Sequence, residues 1–168
     1  MKNSKIKNFI TFSMAAILIS FLLSQCSSSK KVTQLNSDEV ANMVNSSRFE
    51  FVAERVNPLR GTSRILTSYY DVIVKKDSLK CFLPFFGRAY QAPMDLSNGG
   101  IQFTSTKFTY NVDGKKNNSW VITIKPSDNN DVQQLYFNIF GNGSSSLNVV
   151  STNRDAISFS GHIKKLKK

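Results

Sequence analysis

The segment Arg48-Phe49-Glu50-Phe51-Val52-Ala53-Glu54 alternates between two kinds of side chain. Phe49, Phe51 and Ala53 fall on one side of an extended chain, while the charged residues fall on the other. Because successive side chains of a β-strand point to opposite faces of a sheet, this period of two predicts a half-buried strand. The same alternation recurs through most of the chain that follows.

Eight further segments have strand composition and are separated by short polar turns. They are residues 69–74, 78–83, 101–103, 107–112, 119–125, 133–140, 146–151 and 156–163. The turns include Lys75-Lys76-Asp77, Asp113-Gly114 and Gly141-Asn142-Gly143. Short strands in close succession, without intervening helical patterns, predict an all-β fold and exclude a parallel α/β fold. We expect an antiparallel meander that forms a small open or closed barrel, lipocalin-like, in preference to a two-sheet sandwich.

One short helix is predicted before the first strand. Asn36 is suited to cap it, and Glu39 three positions later can complete a capping box. Val40, Met43 and Val44 then repeat at helical spacing. We expect this helix to pack against one end or face of the barrel.

The first 25 residues have the composition of a secretory signal. Three lysines lie within the first seven residues, and a mostly apolar run follows at residues 9–23. This run is shorter than the roughly 20 residues that span a bilayer core. We therefore predict export and no transmembrane helix.

The tetrapeptide Leu23-Ser24-Gln25-Cys26 resembles the lipobox of bacterial lipoproteins, although Gln25 stands where Gly, Ala or Ser is usual. The resemblance implies lipidation of Cys26; cleavage near Cys26 to give a soluble secreted protein is the alternative. Residues 26–34 then form a flexible tether, 35–163 a single β-rich domain and 164–168 a basic tail. The tether lacks acidic residues, which favours an outer-membrane protein that faces the periplasm.

Cysteine usage fits the same interpretation. Only Cys26 and Cys81 are present, so a structural disulfide would have to join these two. Lipidation of Cys26 would leave Cys81 alone. Since Cys81 alternates onto the same face as Leu79 and Leu83, we expect a buried, unreactive thiol.

The most unusual segment is Leu83-Pro84-Phe85-Phe86-Gly87-Arg88-Ala89-Tyr90. Phe85, Phe86 and Tyr90 could line the mouth of a cavity beside the fixed charge of Arg88, so these four residues are our candidate ligand-binding site. An apolar lining with one charge would suit a lipid-like or aromatic acid. The alternative is structural: Arg88 bonds loop carbonyls and the aromatic rings close the end of a barrel.

Several segments together resemble domain-of-unknown-function family 4251. They are residues 49–53, 58–61, 70–74, 83–90, 98–103, 147–151, 153–154, 157–159 and 161. The family comprises small bacterial envelope proteins, often lipoproteins, and has no established activity. The resemblance therefore implies a class of protein but no chemistry.

Catalytic signatures are sparse. No nucleophile-elbow, zinc-protease or Ser-Lys motif occurs. His162 is the single histidine, so a Cys81–His162 dyad is the one nucleophile and base pair available. The carboxylates are scattered at turns. We predict no catalytic residue, and a hydrolase is the least favoured hypothesis.

Metal and nucleic-acid sites are not indicated either. The run from Asp128 to Asp131 has oxygen ligands but lacks the spacing of an EF-hand loop, so a turn explains it better. Dispersed lysines on an exported protein argue against nucleic-acid binding. We expect no metal and no cofactor.

The chain is basic. Its 22 Lys and Arg residues against 11 Asp and Glu residues give a net charge of +11, and loss of the three lysines in residues 1–25 leaves +8. Lys164, Lys165, Lys167 and Lys168 concentrate charge at the C-terminus, where we expect a solvated tail. Contact of these lysines with anionic headgroups is the alternative.

These observations favour a lipid-anchored cell-envelope protein whose barrel domain acts as a non-catalytic binding or interaction module. The expected ligand is a small apolar or anionic molecule, and the membrane is a partner through the N-terminal lipid. The competing hypothesis is a structural accessory of an envelope protein complex without a small ligand. An exposed apolar patch would favour the accessory.

Overall fold

Nine strands and one short helix make up the part of the chain that the computed structural model describes, residues 35–90, 99–116 and 118–166, without the side chains of residues 115 and 116. The elements are α1 (Ser37–Asn45), β1 (Phe49–Pro58), β2 (Arg64–Val74), β3 (Leu79–Leu83), β4 (Ile101–Ser105), β5 (Phe108–Lys116), β6 (Ser119–Pro126), β7 (Val132–Phe140), β8 (Ser144–Ser151) and β9 (Ile157–Lys164). In these residues no helix has the length and apolar character needed to span a bilayer.

The strands form one sheet in the order β4-β3-β2-β1-β9-β8-β7-β6-β5. Every pair of neighbours is antiparallel, and the sheet curls into a nearly closed barrel. The predicted all-β antiparallel fold is therefore confirmed. The pairing of β1 with β9 joins the first and last strands, so the sheet is continuous except between β4 and β5.

The gap between β4 and β5 follows from strand direction. Nine strands that alternate in direction leave the two edge strands running the same way. Because only Thr106 and Lys107 separate them, β5 starts where β4 ends, and the two strands are displaced along their common direction. Asp128 fixes this corner by accepting hydrogen bonds from the backbone N–H of Thr106 at 2.9 Å and of Lys107 at 3.2 Å.

The closure of the sheet depends on a glycine. β1 has a bulge between Ala53 and Arg55 where it pairs with both neighbours. Gly161 of β9 lies against this bulge, and a Cβ there would overlap the carbonyl oxygen of Val52. Only glycine therefore allows β9 to approach β1 closely enough to pair.

Inward-facing side chains fill the barrel. Phe49, Phe51 and Phe137 are fully buried, and Phe137 contacts both others edge-to-face with ring centroids 5.7 Å apart. Edge-to-face pairs add to the free energy gained by burying aromatic rings. The alternation read from the sequence thus places the apolar side chains in a packed core.

The helix packs against one end of this core. Asn36 and Glu39 form the predicted capping box, and Val40, Met43 and Val44 are buried. The hydroxyl of Tyr110 on β5 donates a 2.8 Å hydrogen bond to the carbonyl oxygen of Val44. We call this the helix end; it comprises α1, the β2–β3, β5–β6 and β7–β8 turns, and the end of β9.

Four longer connections meet at the opposite end. They are residues 59–63, 84–90 with 99–100, 127–131 and 152–156, which follow β1, β3, β6 and β8. We call this the loop end.

Several predicted boundaries were wrong. Asp113-Gly114 is not a turn, because β5 runs through it with an irregularity between Asp113 and Lys116, and the chain reverses near Asn118, whose φ is +58°. β2 begins at Arg64 rather than residue 69, because its polar first half pairs with the end of β1. The predicted solvated tail also begins later, since Lys164 belongs to β9.

Candidate binding surface at the loop end

The loop end brings together segments that lie far apart in the sequence. The turn at residues 58–61, the segment 83–90, and Asn153 with Arg154 all lie there, and all belong to the family resemblance noted above. Local periodicity predicts none of these contacts, because they join separate connections.

Main-chain hydrogen bonds hold the segment after β3 against the β8–β9 connection. Ala89 and Arg154 form an isolated antiparallel bridge. The N–H of Tyr90 donates to the carbonyl of Asn153 at 2.7 Å, and the N–H of Asp155 donates to the carbonyl of Arg88 at 2.9 Å. Two loops thus form a short ribbon with a fixed conformation.

Arg154 links three connections through its guanidinium group. Nη1 donates to the carbonyl of Gly100 at 3.0 Å, and Nη2 is 2.9 Å from Oδ2 of Asp131. The same group lies 5.1 Å from the centroid of the Phe85 ring. Its side chain is only 14% exposed, so Arg154 holds these connections together from beneath the exposed surface.

Asp155 anchors the ribbon. It is 4% exposed, its Oδ1 accepts a hydrogen bond from the Tyr90 hydroxyl, and its Oδ2 is 3.4 Å from the backbone N of Arg88. The Tyr90 hydrogen bond lowers the pKa of Asp155, and the charges of Arg60 and Arg88 lower it further. The same hydrogen bond raises the pKa of Tyr90. Asp155 is therefore an ionised carboxylate at neutral pH.

Three arginines are exposed at the loop end, and two of them, Arg60 and Arg88, act on this carboxylate through their charge. Among the described residues, no carboxylate oxygen lies within 4 Å of the guanidinium groups of Arg60, Arg64 or Arg88. Arg64 lies 5.1 Å from the centroid of the Phe86 ring, a cation–π distance. The surface thus carries an excess of positive charge.

The same surface exposes apolar groups. Ile65 is 70% exposed, Tyr90 67% and Leu59 64%, the three largest values for large apolar side chains in the described ranges. Leu59 is next to Arg60 in the β1–β2 turn, whereas Ile65 pairs with Arg55 and so lies on the outer face of the sheet beside that turn. We call these six exposed residues, Leu59, Arg60, Arg64, Ile65, Arg88 and Tyr90, the arginine face.

The four residues proposed from the sequence occupy this region in different ways. Phe85 and Phe86 are half-buried and pack against the core. Arg88 is bound to Asp155 through its main chain while its side chain is exposed. Tyr90 is exposed apart from its hydrogen bond to Asp155. The structure therefore brings the four together on a surface beside the core.

Sequence reasoning missed most of the arginine face. Arg60 lies in the segment 58–61 that carries the family resemblance but was not proposed as a site residue, and Leu59, Arg64 and Ile65 were not singled out. The sequence does carry a signal for this surface, because an arginine is next to an aliphatic residue on each side of Gly61. Its meaning depends on the neighbouring segment 84–90, which only the fold supplies.

The candidate Cys81–His162 dyad does not form. Cys81 points into the core from β3, is 2% exposed, and has its pKa raised by burial and by the charge of Asp71. His162 is on the outer face of β9, with Nδ1 2.9 Å from Oε1 of Glu54. Cys81 and His162 thus lie on opposite faces of the sheet, and burial disfavours the thiolate form of Cys81.

A second polar cluster lies on the outer face of β1, β2 and β9. The Tyr69 hydroxyl donates a hydrogen bond to the largely buried carboxylate of Glu50, and Nζ of Lys164 is 3.1 Å from the same carboxylate. Nζ of Lys165 is 2.7 Å from Glu39 on α1. Lys164 is thus half-buried and paired, whereas Lys165 is 61% exposed and pairs with one glutamate. Lys167 and Lys168 lie outside the described residues, as does Cys26.

Side-chain oxygens of the β6–β7 connection accept hydrogen bonds that fix turns. Oδ1 of Asn129 accepts from the N–H groups of Asp131 at 2.9 Å and Val132 at 2.7 Å, while Asp128 binds the β4–β5 corner. Over residues 35–90, 99–116 and 118–166, no three His, Cys, Asp or Glu residues group as metal ligands.

Comparisons with known proteins identify the family of this chain and a solved structure with a similar fold. A family model described as a domain of unknown function, DUF4251, matches residues 31–163. A crystal structure of a DUF4251 family protein from Bacteroides eggerthii DSM 20697 is similar with a TM-score of 0.58 and 16% sequence identity, over 77% of this chain and 87% of that one. At this identity the likeness concerns the fold alone. No curated protein sequence matches.

Proposed function

Because this chain belongs to the DUF4251 family, whose function is unknown, we propose its role from the geometry of the loop end. The protein is a non-catalytic binding module, held at the bacterial cell envelope by lipid on Cys26. Its ligand is a small apolar or anionic molecule that contacts the arginine face.

One observation carries this proposal. In the described residues, three exposed arginines without a carboxylate partner and the three most exposed large apolar side chains lie at the same end of the barrel. Asp155, on which the charges of Arg60 and Arg88 act, is buried and already bonded. Guanidinium groups bind carboxylates and phosphates through paired hydrogen bonds, so an anion with an apolar body complements this surface.

The non-catalytic assignment rests on the surroundings of the reactive groups. The thiol of Cys81 is buried with a raised pKa, and His162 is paired with Glu54 on another face. A catalytic nucleophile requires a base within hydrogen-bond distance. His162 cannot serve as that base for Cys81, because the two side chains lie on opposite faces of the sheet.

The proposed location rests on the sequence before the domain. The lipobox-like segment ending at Cys26 and the non-acidic tether support an outer-membrane anchor with the domain in the periplasm. A Cys26→Ala variant expressed in its native host should then move from the membrane fraction to the soluble periplasmic fraction. Retention of this variant in washed membranes would contradict the lipid anchor.

The binding role is tested by native mass spectrometry of protein extracted from the native envelope in mild detergent, with lipid analysis of bound material. We expect a reproducible bound small molecule. A variant with Arg60→Gln and Arg88→Gln should lose it, while Arg48→Gln with Lys76→Gln at the helix end should retain it. Wild-type protein that is empty in repeated preparations would contradict the proposal.

The exposure of Leu59, Ile65 and Tyr90 also favours the second candidate, an accessory of an envelope complex. Protein interfaces are enriched in arginine and tyrosine with apolar neighbours. A protein partner that co-purifies in fixed stoichiometry without a small ligand, and that is lost with Leu59→Ser and Ile65→Ser, would favour this role.

A further inference from the structure

We propose that the β7–β8 turn at the helix end, together with the adjoining outer face of these two strands, binds an uncharged oligosaccharide. This site is separate from the arginine face and goes beyond the binding role proposed for the loop end. Its ligand is a neutral sugar chain, a molecule that is rich in hydroxyl groups, carries no charge and has apolar C–H faces.

A hollow of about 450 Å³ lies beside the β7–β8 turn. The described residues that line it are Asn118, Phe140, Gly141, Asn142 and Ser144. Phe140 contributes an exposed aromatic ring. The volume of the hollow is typical of sites for small molecules. None of these five lining residues is charged, so they offer no opposite charge to an ionic ligand.

Two side-chain amides in the hollow are already oriented. Oδ1 of Asn142 accepts hydrogen bonds from the backbone N–H of Ser144 at 3.0 Å and from its hydroxyl at 2.7 Å. Oδ1 of Asn118 accepts from the Ser37 hydroxyl, and this amide lies over Gly141, where a Cβ would overlap it. Within the described ranges, neither amide NH₂ group donates a hydrogen bond. Both groups are therefore donors fixed in place before a ligand binds.

A sugar complements these groups better than a lipid or an aromatic acid does. Its hydroxyl oxygens accept hydrogen bonds from the two amide NH₂ groups. The C–H face of a pyranose ring packs against the electron-rich face of the Phe140 ring. An apolar ligand would displace water from the amides without replacing its hydrogen bonds, which costs free energy.

The outer face of β7 and β8 continues the same chemistry away from the hollow. Tyr136 is exposed four positions before Phe140 on β7, so the two rings lie about 14 Å apart along the strand. On β8, Ser146 is opposite Asn138, and Asn148 is opposite Tyr136. In the described residues, the side chains of Tyr136, Ser146 and Asn148 make no hydrogen bond within the chain. A chain of several sugars can thus contact both rings and bond to the groups beside them.

The absence of charge separates this face from other parts of the sheet. The outward positions of β7 and β8 between Tyr136 and Asn148 hold only aromatic, hydroxyl and amide side chains, namely Tyr136, Asn138, Phe140, Ser144, Ser146 and Asn148. The outer face of β1 and β9 instead carries Glu50, Glu54 and Lys164. Complementary surfaces match in charge, so the partner of this face is a neutral polar chain.

The experiment uses protein that begins at residue 26 and carries Cys26→Ser, so that neither the signal nor a lipid contributes. All nine strands, α1 and the core lie within one compact unit, residues 34–168, so this protein contains the whole fold. It is applied to an array of neutral oligosaccharides of glucose, galactose, mannose and xylose, from disaccharides to hexasaccharides, beside oligosaccharides of uronic acids. Calorimetric titration then measures the dissociation constant of the strongest binder.

We expect binding to at least one neutral series. Phe140→Ala should weaken it about ten-fold. Asn118→Gly, which suits the φ of +58° at this position, should weaken it about five-fold. The matched controls are Phe82→Ala, an exposed ring on β3, and Asn130→Gly, an exposed amide at the loop end; each should change the affinity under about two-fold. Urea titration followed by Trp120 fluorescence checks that every variant is folded.

The length of the sugar tests the outer face separately from the hollow. Tyr136→Ala should weaken binding of the hexasaccharide and leave that of the disaccharide unchanged, because only the longer chain reaches from the hollow to Tyr136. A variant with Arg60→Gln and Arg88→Gln should bind both sugars as the wild type does, since the arginine face lies at the other end of the barrel.

Three results would overturn the inference. The first is no binding of any neutral oligosaccharide. The second is unchanged affinity in folded Phe140→Ala and Asn118→Gly variants. The third is binding of the uronic-acid oligosaccharides alone, lost in the variant with Arg60→Gln and Arg88→Gln. This last result would refute the neutral sugar site but support the proposed role of the arginine face, so the two ideas fail separately.

Discussion

The two ends of the barrel are closed in different ways. At the helix end, α1 covers the core with Val40, Met43 and Val44, which are buried against apolar neighbours. At the loop end, Arg154 and Asp155 bind separate connections together through charged hydrogen bonds. Apolar burial is nondirectional, whereas charged hydrogen bonds fix geometry, so the loop end holds exposed groups in defined positions.

The difference extends to the exposed charges. At the helix end, Lys164 and Lys165 each pair with a glutamate. At the loop end, Arg60, Arg64 and Arg88 have no such partner among the described residues. Arg48, Lys75 and Lys76 at the helix end also have no carboxylate within 4 Å in these residues, so unpaired charge alone does not distinguish the ends. The loop end differs in that Arg60 and Arg88 act on the buried carboxylate of Asp155.

The largest effect in this comparison is expected for Arg154→Ala. The substitution leaves the Asp131 carboxylate and the Gly100 carbonyl without their partner, and we expect a loss of about 3 kcal/mol in the free energy of unfolding. Urea titration followed by Trp120 fluorescence measures it. Arg154→Lys should lose less, and Arg55→Ala on the exposed outer face should lose under about 0.5 kcal/mol.

Hydrogen exchange then tests whether the ends are separate. In Arg154→Ala the amides of Tyr90 and Asp155, which bond across the ribbon, should exchange faster, while those of α1 keep their protection. Equal loss of protection in α1 would mean that the two ends do not act as separate units.

Met43→Ala should have a somewhat smaller effect and a different signature. Met43 is 5% exposed, so its truncation leaves a cavity under α1 and should cost about 2 kcal/mol. Because this loss involves no charge, it should be the same in low and high salt, whereas the cost of Arg154→Ala should shrink as salt is raised. Measuring both variants in low and high salt checks this, and matching salt dependence would remove the distinction between the ends.

The smallest expected effect concerns the stability of the folded protein at low pH. The pKa of Asp155 is lower in the folded protein than its ordinary value near 4, mainly because Tyr90 donates a hydrogen bond to it. Its contribution to stability is therefore complete above pH 4 to 5 and is lost as the pH falls through the folded-state pKa. Asp155→Asn should flatten the acid branch of the stability curve, as measured by urea titration between pH 6 and 2.5. Asp77→Asn, on an exposed turn of the helix end, should leave that branch unchanged.

The accuracy of the sequence prediction depended on whether each feature is determined by neighbouring residues. The cap of α1 and the cores of the strands were predicted closely, because they depend on neighbouring residues and on a period that burial imposes. Asp113-Gly114 was mistaken for a turn, since glycine also suits an irregular stretch within a strand. The start of β2 was missed because its exposed, polar residues carry little alternation.

The candidate site was only partly predictable. The segment with Phe85, Phe86, Arg88 and Tyr90 stood out by its composition, but its neighbours in space come from two other connections. Arg154 had no local feature to mark it as the link between three loops. Its role depends on contacts with Gly100 and Asp131, which lie 54 and 23 positions away in the chain.

The sequence by itself determined the class of fold and which face of each strand is buried, because alternation and capping are local and reflect the transfer of apolar side chains out of water. Tertiary structure alone decided that β1 closes on β9 around Gly161, that β4 and β5 remain unpaired, and that Arg60 and Arg88 come near Tyr90 and Asp155. These outcomes depend on strand order and register. Both are set by the packing of residues distant in sequence, so no single segment predicts them.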